Sequence, residues 1–329
     1  MKICIVKLSA MGDIIHAMVA LQYIKKALPN CQIDWIVESG FKGVLENNPH
    51  IDNILTVNLK SIKTKKSEIF NQIKLLKEYS KNNYDVVIDA QGLLKSAIVS
   101  KIVGSRVVGS FIAGFDKDSI REKMSSWFYD RSVYISYEAN TIDRNVKVLS
   151  EPLEIKITSN DILKKEPFLF YTSKDMKLEK EYNLFVIGST WESRNYPKEK
   201  FVEIADRLKI KTYIVWGSND EYEKALWMEK QSEYLEILSR GSLDELKNVI
   251  SKCKLLIGND TGPTHMAWGL NVPSITIFGP TPINRVYITP INKVIKSSSQ
   301  IDHYKLNKND FSINEIKASD IVNIAKELI

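Results

Sequence analysis

Apolar residues in this chain come in short unbroken runs, and each run is followed by a segment where they recur every three or four positions. Residues 3–8 form the first run and predict a buried strand; Ile14, Met18, Leu21 and Leu28 then mark one face of a single helix closed by Pro29. Residues 33–37 predict a second strand, 69–79 a helix with Ile69, Ile73 and Leu76 on one face, and 85–89 another buried strand. After Pro152 the pattern degrades into a charged, aperiodic stretch to about residue 180, which reads as a linker, although 168–171 could itself form a short strand. The alternation then restarts, with strands expected at 184–187, 212–216, 255–257 and 274–278 and helices at 198–208, 243–251 and 264–270. Ser312-x-x-Glu315 reads as a capping box for a last helix containing Ile316, Ile321, Val322, Ala325 and Leu328. Two runs of β-α-β alternation predict an α/β protein with two parallel-sheet domains, and 329 residues suffice for both.

Composition excludes more than it assigns. At 44% hydrophobic and 26% charged residues the chain is globular in character. No stretch approaches the roughly 18–20 apolar residues that span a bilayer, and Lys7 interrupts the only N-terminal apolar run, so no signal peptide is expected. Cys4, Cys31 and Cys253 are scattered, which predicts neither a disulfide framework nor a zinc site and suits a reducing cytoplasm. The net charge of +6 is uneven: Lys60, Lys63, Lys65 and Lys66 crowd together, with Lys74 and Lys77 shortly after. Such a run is a solvated face, or a surface for an anionic ligand or an anionic membrane. Nucleic acid is disfavoured, because no aromatic residues interleave with the lysines to stack bases.

Two glycine-containing turns carry the candidate chemistry. Lys7-Leu-Ser-Ala-Met-Gly-Asp13 follows the first strand and opens a helix. Gly12 there reads as a tight turn with access for a ligand. Asp13 in the first helical turn is either a cap, favoured by the helix dipole, or a general base at a strand end. Gly258-Asn-Asp-Thr-Gly-Pro-Thr-His265 also joins a strand to a helix. Its amides, with Gly262 and the Thr261 hydroxyl, form a candidate diphosphate site, or an ordinary turn. Neither half has the dinucleotide fingerprint G-x-G-x-x-G or the P-loop, which argues against hydride transfer and nucleotide hydrolysis. Asp116-Lys-Asp118 matches a D-x-D metal pattern, but it has no further clustered carboxylates and reads as incidental.

Taken in order, Lys7-Leu-Ser-Ala-Met-Gly-Asp-Ile-Ile-His16, Asp89-Ala-Gln-Gly-Leu-Leu-Lys-Ser96 and Gly258-Asn-Asp-Thr-Gly-Pro-Thr-His265 resemble the lipopolysaccharide heptosyltransferases. Phe115-Asp-Lys-Asp-Ser-Ile-Arg-Glu122 with Phe128-Tyr-Asp-Arg131, and Ser189-Thr-Trp-Glu-Ser-Arg-Asn-Tyr-Pro197, resemble the branch that adds the first heptose. The resemblance implies a GT-B fold: two Rossmann-like domains facing across a cleft. The boundaries would be 1–165 for an acceptor-binding domain, 166–311 for a nucleotide-sugar domain, and 312–329 for a helix packing back on the first. Members move L-glycero-D-manno-heptose from ADP-heptose onto Kdo of lipid A, with inversion and without metal or cofactor. They work in the cytoplasm, peripherally on the inner membrane, in lipopolysaccharide core synthesis.

Carried over by position, the resemblance makes Asp13 the base. Ser189, Thr190, Arg194, Glu221, Asp260, Thr261, Gly262 and His265 would bind the donor. Ser9, Gly12, Lys63, Lys65, Lys66, Lys95, Arg121 and Arg144 are candidates for the acceptor. Arg194 stands where the family commonly has lysine, which keeps the charge but changes its geometry. Lysines around 60–66 replace the basic pair that relatives present to the acceptor. The alternatives are a sibling transferase with another core acceptor, a sugar-nucleotide epimerase or hydrolase of the same fold, and a non-catalytic sugar-nucleotide-binding protein.

Overall fold

The computed structural model describes residues 1–104, 107–174 and 176–329, which fall into two compact units, Met1–Phe168 and Leu169–Ile329. The division lies inside the expected linker. The first unit is built on β1 (Lys2–Val6), β2 (Gln32–Glu38), β3 (Asn53–Val57), β4 (Val86–Asp89), β5 (Phe111–Phe115) and β6 (Arg131–Val133). The second is built on β7 (Asn183–Val186), β8 (Thr212–Val215), β9 (Leu235–Ile237), β10 (Leu255–Asn259), β11 (Ser274–Phe278) and β12 (Asn292–Lys296). Their orders are β3-β2-β1-β4-β5-β6 and β12-β11-β10-β7-β8-β9, with every neighbouring pair parallel. Counted from its own first strand, the second sheet repeats the order of the first.

Parallel strands are covered by helices on both faces, which is why the central ones read as unbroken apolar runs. All residues of β4, β7, β8, β10 and β11 are buried. Cys4, Val6, Ile36 and Val87 belong to one core, and Phe185, Phe201, Ile214, Ile257 and Ile277 to another. The strands without a sequence signal are mostly the short or half-exposed ones. β6 exposes Arg131 and Ser132, β9 has only three residues, and β12 is mostly half-buried.

Three expectations differ from the structure. The single helix over 14–28 is two, Met11–Met18 and Ala20–Ala27, separated at Val19. No strand forms at 168–171. Ser312 and Glu315 do not cap the last helix: they lie in a separate 3-10 turn, where the Ser312 hydroxyl pairs with Ser297 and Glu315 accepts from the Ser298 hydroxyl. The last helix begins at Ala318 after Lys317, and buries Ile321, Val322 and Ala325 beside Phe201 and Ile204 in the core of the second unit. Among the described residues no helix is long and apolar enough to cross a membrane.

Candidate functional site

In a sheet of this order, ligands bind beyond the carboxyl ends of the strands where the chain reverses direction across the sheet. That point lies between β1 and β4 in the first unit and between β7 and β10 in the second. The loops leaving these four strands are the ones that the sequence motifs singled out.

In the first unit, β1 runs through Lys7–Ala10 into the helix Met11–Met18. Gly12 is the second residue of that helix and does not adopt the left-handed region, so the expected glycine turn is absent. Ala10, in extended backbone, is the residue that precedes the helix. Asp13 Oδ2 accepts the Ala10 N–H at 3.3 Å, so the carboxylate does cap the helix. Ser9, Gly12 and Asp13 are all half-buried.

The motif after β4 braces this loop. Gln91 Oε1 accepts the N–H groups of both Leu8 and Ser9 at 3.1 Å. Asp89, fully buried, accepts from the amides of Gln91 and Gly92 and from the Tyr129 hydroxyl. Burial pushes its carboxyl up from the ordinary value, against those donors. Lys7 is also buried, and its Nζ donates to the Ala90 carbonyl at 2.7 Å. Burial lowers its ammonium, while the nearby Asp13 and Asp89 carboxylates act to keep it charged. Lys7, Asp89 and Gln91 brace the loop that carries Asp13, and residue type alone did not single them out. Their signal was only their position inside the two motifs.

The cationic candidates separate into two groups. Lys63, Lys65, Lys66, Lys95 and Arg121 are exposed and lie in the segments following β3, β4 and β5. Lys65 pairs with Glu68 at 3.3 Å. Arg144 is held differently: its guanidinium donates to the carbonyls of Ser119, Ile135 and Ser136 and packs over Phe115 and Tyr137. That engagement makes it a clamp for the chain around β6. Asp116 Oδ1 accepts from the amides of Asp118 and Ser119 and from the Ser119 hydroxyl, so it organises a turn.

In the second unit, Asp260 directly follows β10 and is 2% exposed. Arg194 Nη2 lies 2.6 Å from its Oδ2 and also donates to its carbonyl. His265 Nε2 is 3.1 Å from Oδ1, and the Thr281 hydroxyl donates to Oδ2 at 3.1 Å. Burial alone would raise the Asp260 carboxyl; the Arg194 guanidinium, the His265 hydrogen bond and the more distant Arg285 outweigh it and hold the group well below the usual carboxylate range. Asn259 ties the loops together, accepting the Tyr196 N–H and donating to the Ile187 carbonyl.

The helix Gly262–Gly269 starts at Thr261, and its first amides have no intrahelical acceptor. Pro263 interrupts the run, so Gly262 and Thr264 supply the free-pointing N–H groups of that turn. The Thr264 hydroxyl is committed to the Asn259 carbonyl. Ser189 is half-buried with Oγ enclosed and unbonded, while Thr190 beside it is exposed. Glu221 folds back from its helix so that Oε2 accepts the Gly217 N–H at 2.7 Å. A Cβ on Gly188 would lie 2.1 Å from that carboxyl group, so only glycine admits Glu221 there. Lys308, 4.9 Å over the Trp191 ring, and Arg285 add cations that the motifs did not indicate. Among the described residues no cluster of His, Cys, Asp and Glu could hold a metal ion.

A model of glycosyltransferase family 9 (heptosyltransferase) matches residues 72–315. A lipopolysaccharide heptosyltransferase 1 of Campylobacter coli is 38% identical, covering 100% of this chain and 99% of that protein. The lipopolysaccharide heptosyltransferase 1 of Escherichia coli K12 is 29% identical, covering 85% of this chain and 88% of that protein. The Escherichia coli heptosyltransferase WaaC solved with ADP-2-deoxy-2-fluoro heptose superposes with a TM-score of 0.80 at 25% identity, covering 99% of each chain. The same enzyme solved with ADP gives a TM-score of 0.83 at 24% identity over 100% of both chains. Two Rossmann-like parallel sheets of the GT-B class, a full-length relative and a matching family model agree: the chain belongs to glycosyltransferase family 9, the heptosyltransferases.

Proposed function

We propose that this enzyme transfers L-glycero-D-manno-heptose from ADP-heptose to a Kdo hydroxyl of lipid A, with inversion and without a metal. The observation that carries the reading is Asp13: a braced carboxylate at the switch point of the first sheet, beside a buried lysine. Its Oδ1 takes the proton of the acceptor hydroxyl as that oxygen attacks the anomeric carbon. The C–O bond to the diphosphate breaks as the new bond forms, and the ADP oxygen leaves with added negative charge.

That charge is met by donors already oriented in the second unit: the amides of Gly262 and Thr264, and Arg194. Arg194 engages Asp260 in this structure, so donor binding redistributes its five N–H groups between carboxylate and phosphate. Ser189 and Thr190 add hydroxyl contacts to the phosphates. Glu221 accepts from ribose hydroxyls, Asp260 from heptose hydroxyls, and His265 steadies Asp260. Ser9, Gly12, Lys63, Lys65, Lys66, Lys95 and Arg121 meet the acceptor, whose carboxylates and phosphates call for cations. The same lysines favour peripheral contact with the anionic cytoplasmic face of the inner membrane.

Incubation with ADP-heptose and Kdo-lipid A tests this, with the product read as a heptose mass increment on the acceptor. Asp13→Ala should lower kcat by about 10²–10⁴-fold, the usual contribution of a positioned base. Donor turnover without acceptor would favour an epimerase or hydrolase, and unchanged turnover in Asp13→Ala would sink the assignment of the base.

A further inference from the structure

One cation of the second unit has no part in the function proposed above. Lys308 is exposed, and its Nζ stands 4.9 Å from the centroid of the Trp191 ring. The Arg194 guanidinium lies 5.5 Å from the same ring. Among the described residues no carboxylate pairs with Lys308. The two acids of its own segment are engaged locally. Asp302 accepts the Tyr304 and Lys305 amides, and Asp310 accepts the Ser299 hydroxyl and the Ser312 amide.

The fold holds this lysine near the loop that leaves β7. Residues 297–311 follow β12, and the neck of that segment is closed by the Ser297 and Ser312 hydroxyls, 2.8 Å apart, and by Asp310. The 3-10 turn Ser312–Glu315 then packs against the turn Glu192–Arg194. Lys200 Nζ donates to the carbonyls of Asn314 and Ile316 at 2.6 and 2.7 Å, and the Tyr196 hydroxyl also donates to Ile316. Strand order gives the side of approach. Glu221 follows β8, on one flank of β7, whereas Asp260, Thr281 and Lys308 follow β10, β11 and β12 on the other. A diphosphate joining a ribose at Glu221 to a sugar at Asp260 therefore crosses the end of β7, with its sugar-bearing phosphate turned toward Lys308.

We propose that Lys308 is a donor-binding residue that leaves the Trp191 ring to hold the sugar-bearing phosphate of a nucleoside diphosphate sugar. A ring at the surface holds an ammonium weakly. Phosphate oxygens offer charge-assisted bonds, about twice as strong as neutral ones, so an arriving diphosphate draws the ammonium away. Lysine suits this exchange, because its ammonium is a compact charge on a flexible four-carbon stem. Arg194, tied to Asp260, is less free to follow the phosphate as it departs. When the C–O bond to the diphosphate breaks, negative charge grows on that same phosphate, so Lys308 serves departure as well as binding. This role rests on the donor reading given above, and adds to it which phosphate the cation distinguishes.

The test is calorimetric titration of the full chain with ADP and with AMP, for wild type, Lys308→Met and Lys308→Arg. Lys308→Met should weaken ADP binding roughly 10–100-fold, the usual worth of one hydrogen bond to a charged group, and leave AMP binding unchanged. Lys308→Arg should keep most of the ADP affinity. In steady-state transfer Lys308→Met should lower kcat as well as raise KM for ADP-heptose. Its melting curve without nucleotide should match wild type, since the side chain is exposed. ADP should also change the tryptophan emission of wild type as the ammonium leaves the indole, a change absent from Trp191→Phe and from Lys308→Met. Equal losses for ADP and AMP, an unaltered preference for ADP in Lys308→Met, or an emission change that persists in that variant would overturn the proposal while the donor reading stands. If wild type binds no ADP, the donor reading falls and this role falls with it. If ADP binding behaves as stated but no acceptor receives heptose, the transfer reading fails and the role of Lys308 stands.

Discussion

At the nearly buried Asp260 carboxylate, three side chains of different chemistry converge. Arg194 supplies charge, His265 a ring nitrogen, and Thr281 a hydroxyl. Removing the cation strands a buried anion, so Arg194→Met should cost about 3–5 kcal/mol of stability. Adding Asp260→Asn should recover most of that loss, and urea unfolding of the single and double variants measures both. Because the Asp260 carboxyl is held low, its stabilising contribution is complete above the unfolded value near 3.8 and is lost only as pH falls below it.

Lys165 shows the opposite sense. Burial lowers its ammonium to about 7, against a smaller opposing effect of Glu166. Between pH 7 and 10 the unfolded chain holds more protons at this residue, so Lys165 makes stability rise with pH there. Lys165→Met should remove that slope, as urea midpoints at pH 7 and 9.5 would show. Burial of this amine was not legible in the sequence, where Lys164 and Lys165 are adjacent lysines in a charged stretch; the structure exposes the first and buries the second.

Elements set how closely these residues can approach. Glu221 reaches the end of β7 only because Gly188 has no side chain. Gly188→Ala should push the flexible carboxylate aside at little cost in stability, and should raise KM for ADP-heptose about tenfold, the value of one charge-assisted hydrogen bond. Gly92 is constrained twice over: its φ is +69°, and an added Cβ would lie 2.7 Å from Ile120. Gly92→Ala should therefore cost about 1–3 kcal/mol, read as a lowered melting temperature. Helix starts followed different rules from those expected. Ser312 and Glu315 had the spacing of a cap, yet Ser297 and Ser298 from another segment took their hydroxyl and carboxylate. The helix expected over 14–28 had continuous apolar spacing, and its break at Val19 leaves no mark in that spacing.

On the scale of the molecule, one topology is used twice for two chemistries. Both sheets have the same strand order, but the loops at the first switch point carry Lys7, Asp13 and Asp89, and those at the second carry Arg194, Asp260 and His265. In the proposed function, the first would pair a base with a buried ammonium and the second would meet a diphosphate with cations and amides. ADP alone should therefore protect the second unit selectively. At about 100 times Kd it should add about 2.7 kcal/mol to the stability of the unit that binds it. Amide exchange should slow at 189–194 and 258–265 and stay unchanged at 7–13.

Much of this was determined by the sequence alone. The α/β alternation, the two halves and the motif loops follow from neighbour spacing, because strand and helix periods are local properties of the chain. The family follows from several motifs in a fixed order. Only the tertiary structure decided which polar residues are buried and what they face. Gln91 holding the amides of Leu8 and Ser9, Asn259 joining three loops, and Arg144 spent on backbone carbonyls all join residues far apart or on separate segments. Gly12, expected to turn the chain, lies inside the helix that follows the extended Ala10, and Asp13 caps that same helix. A side chain's partner depends on what the fold brings within about 3 Å of it, and no spacing along the chain encodes that distance.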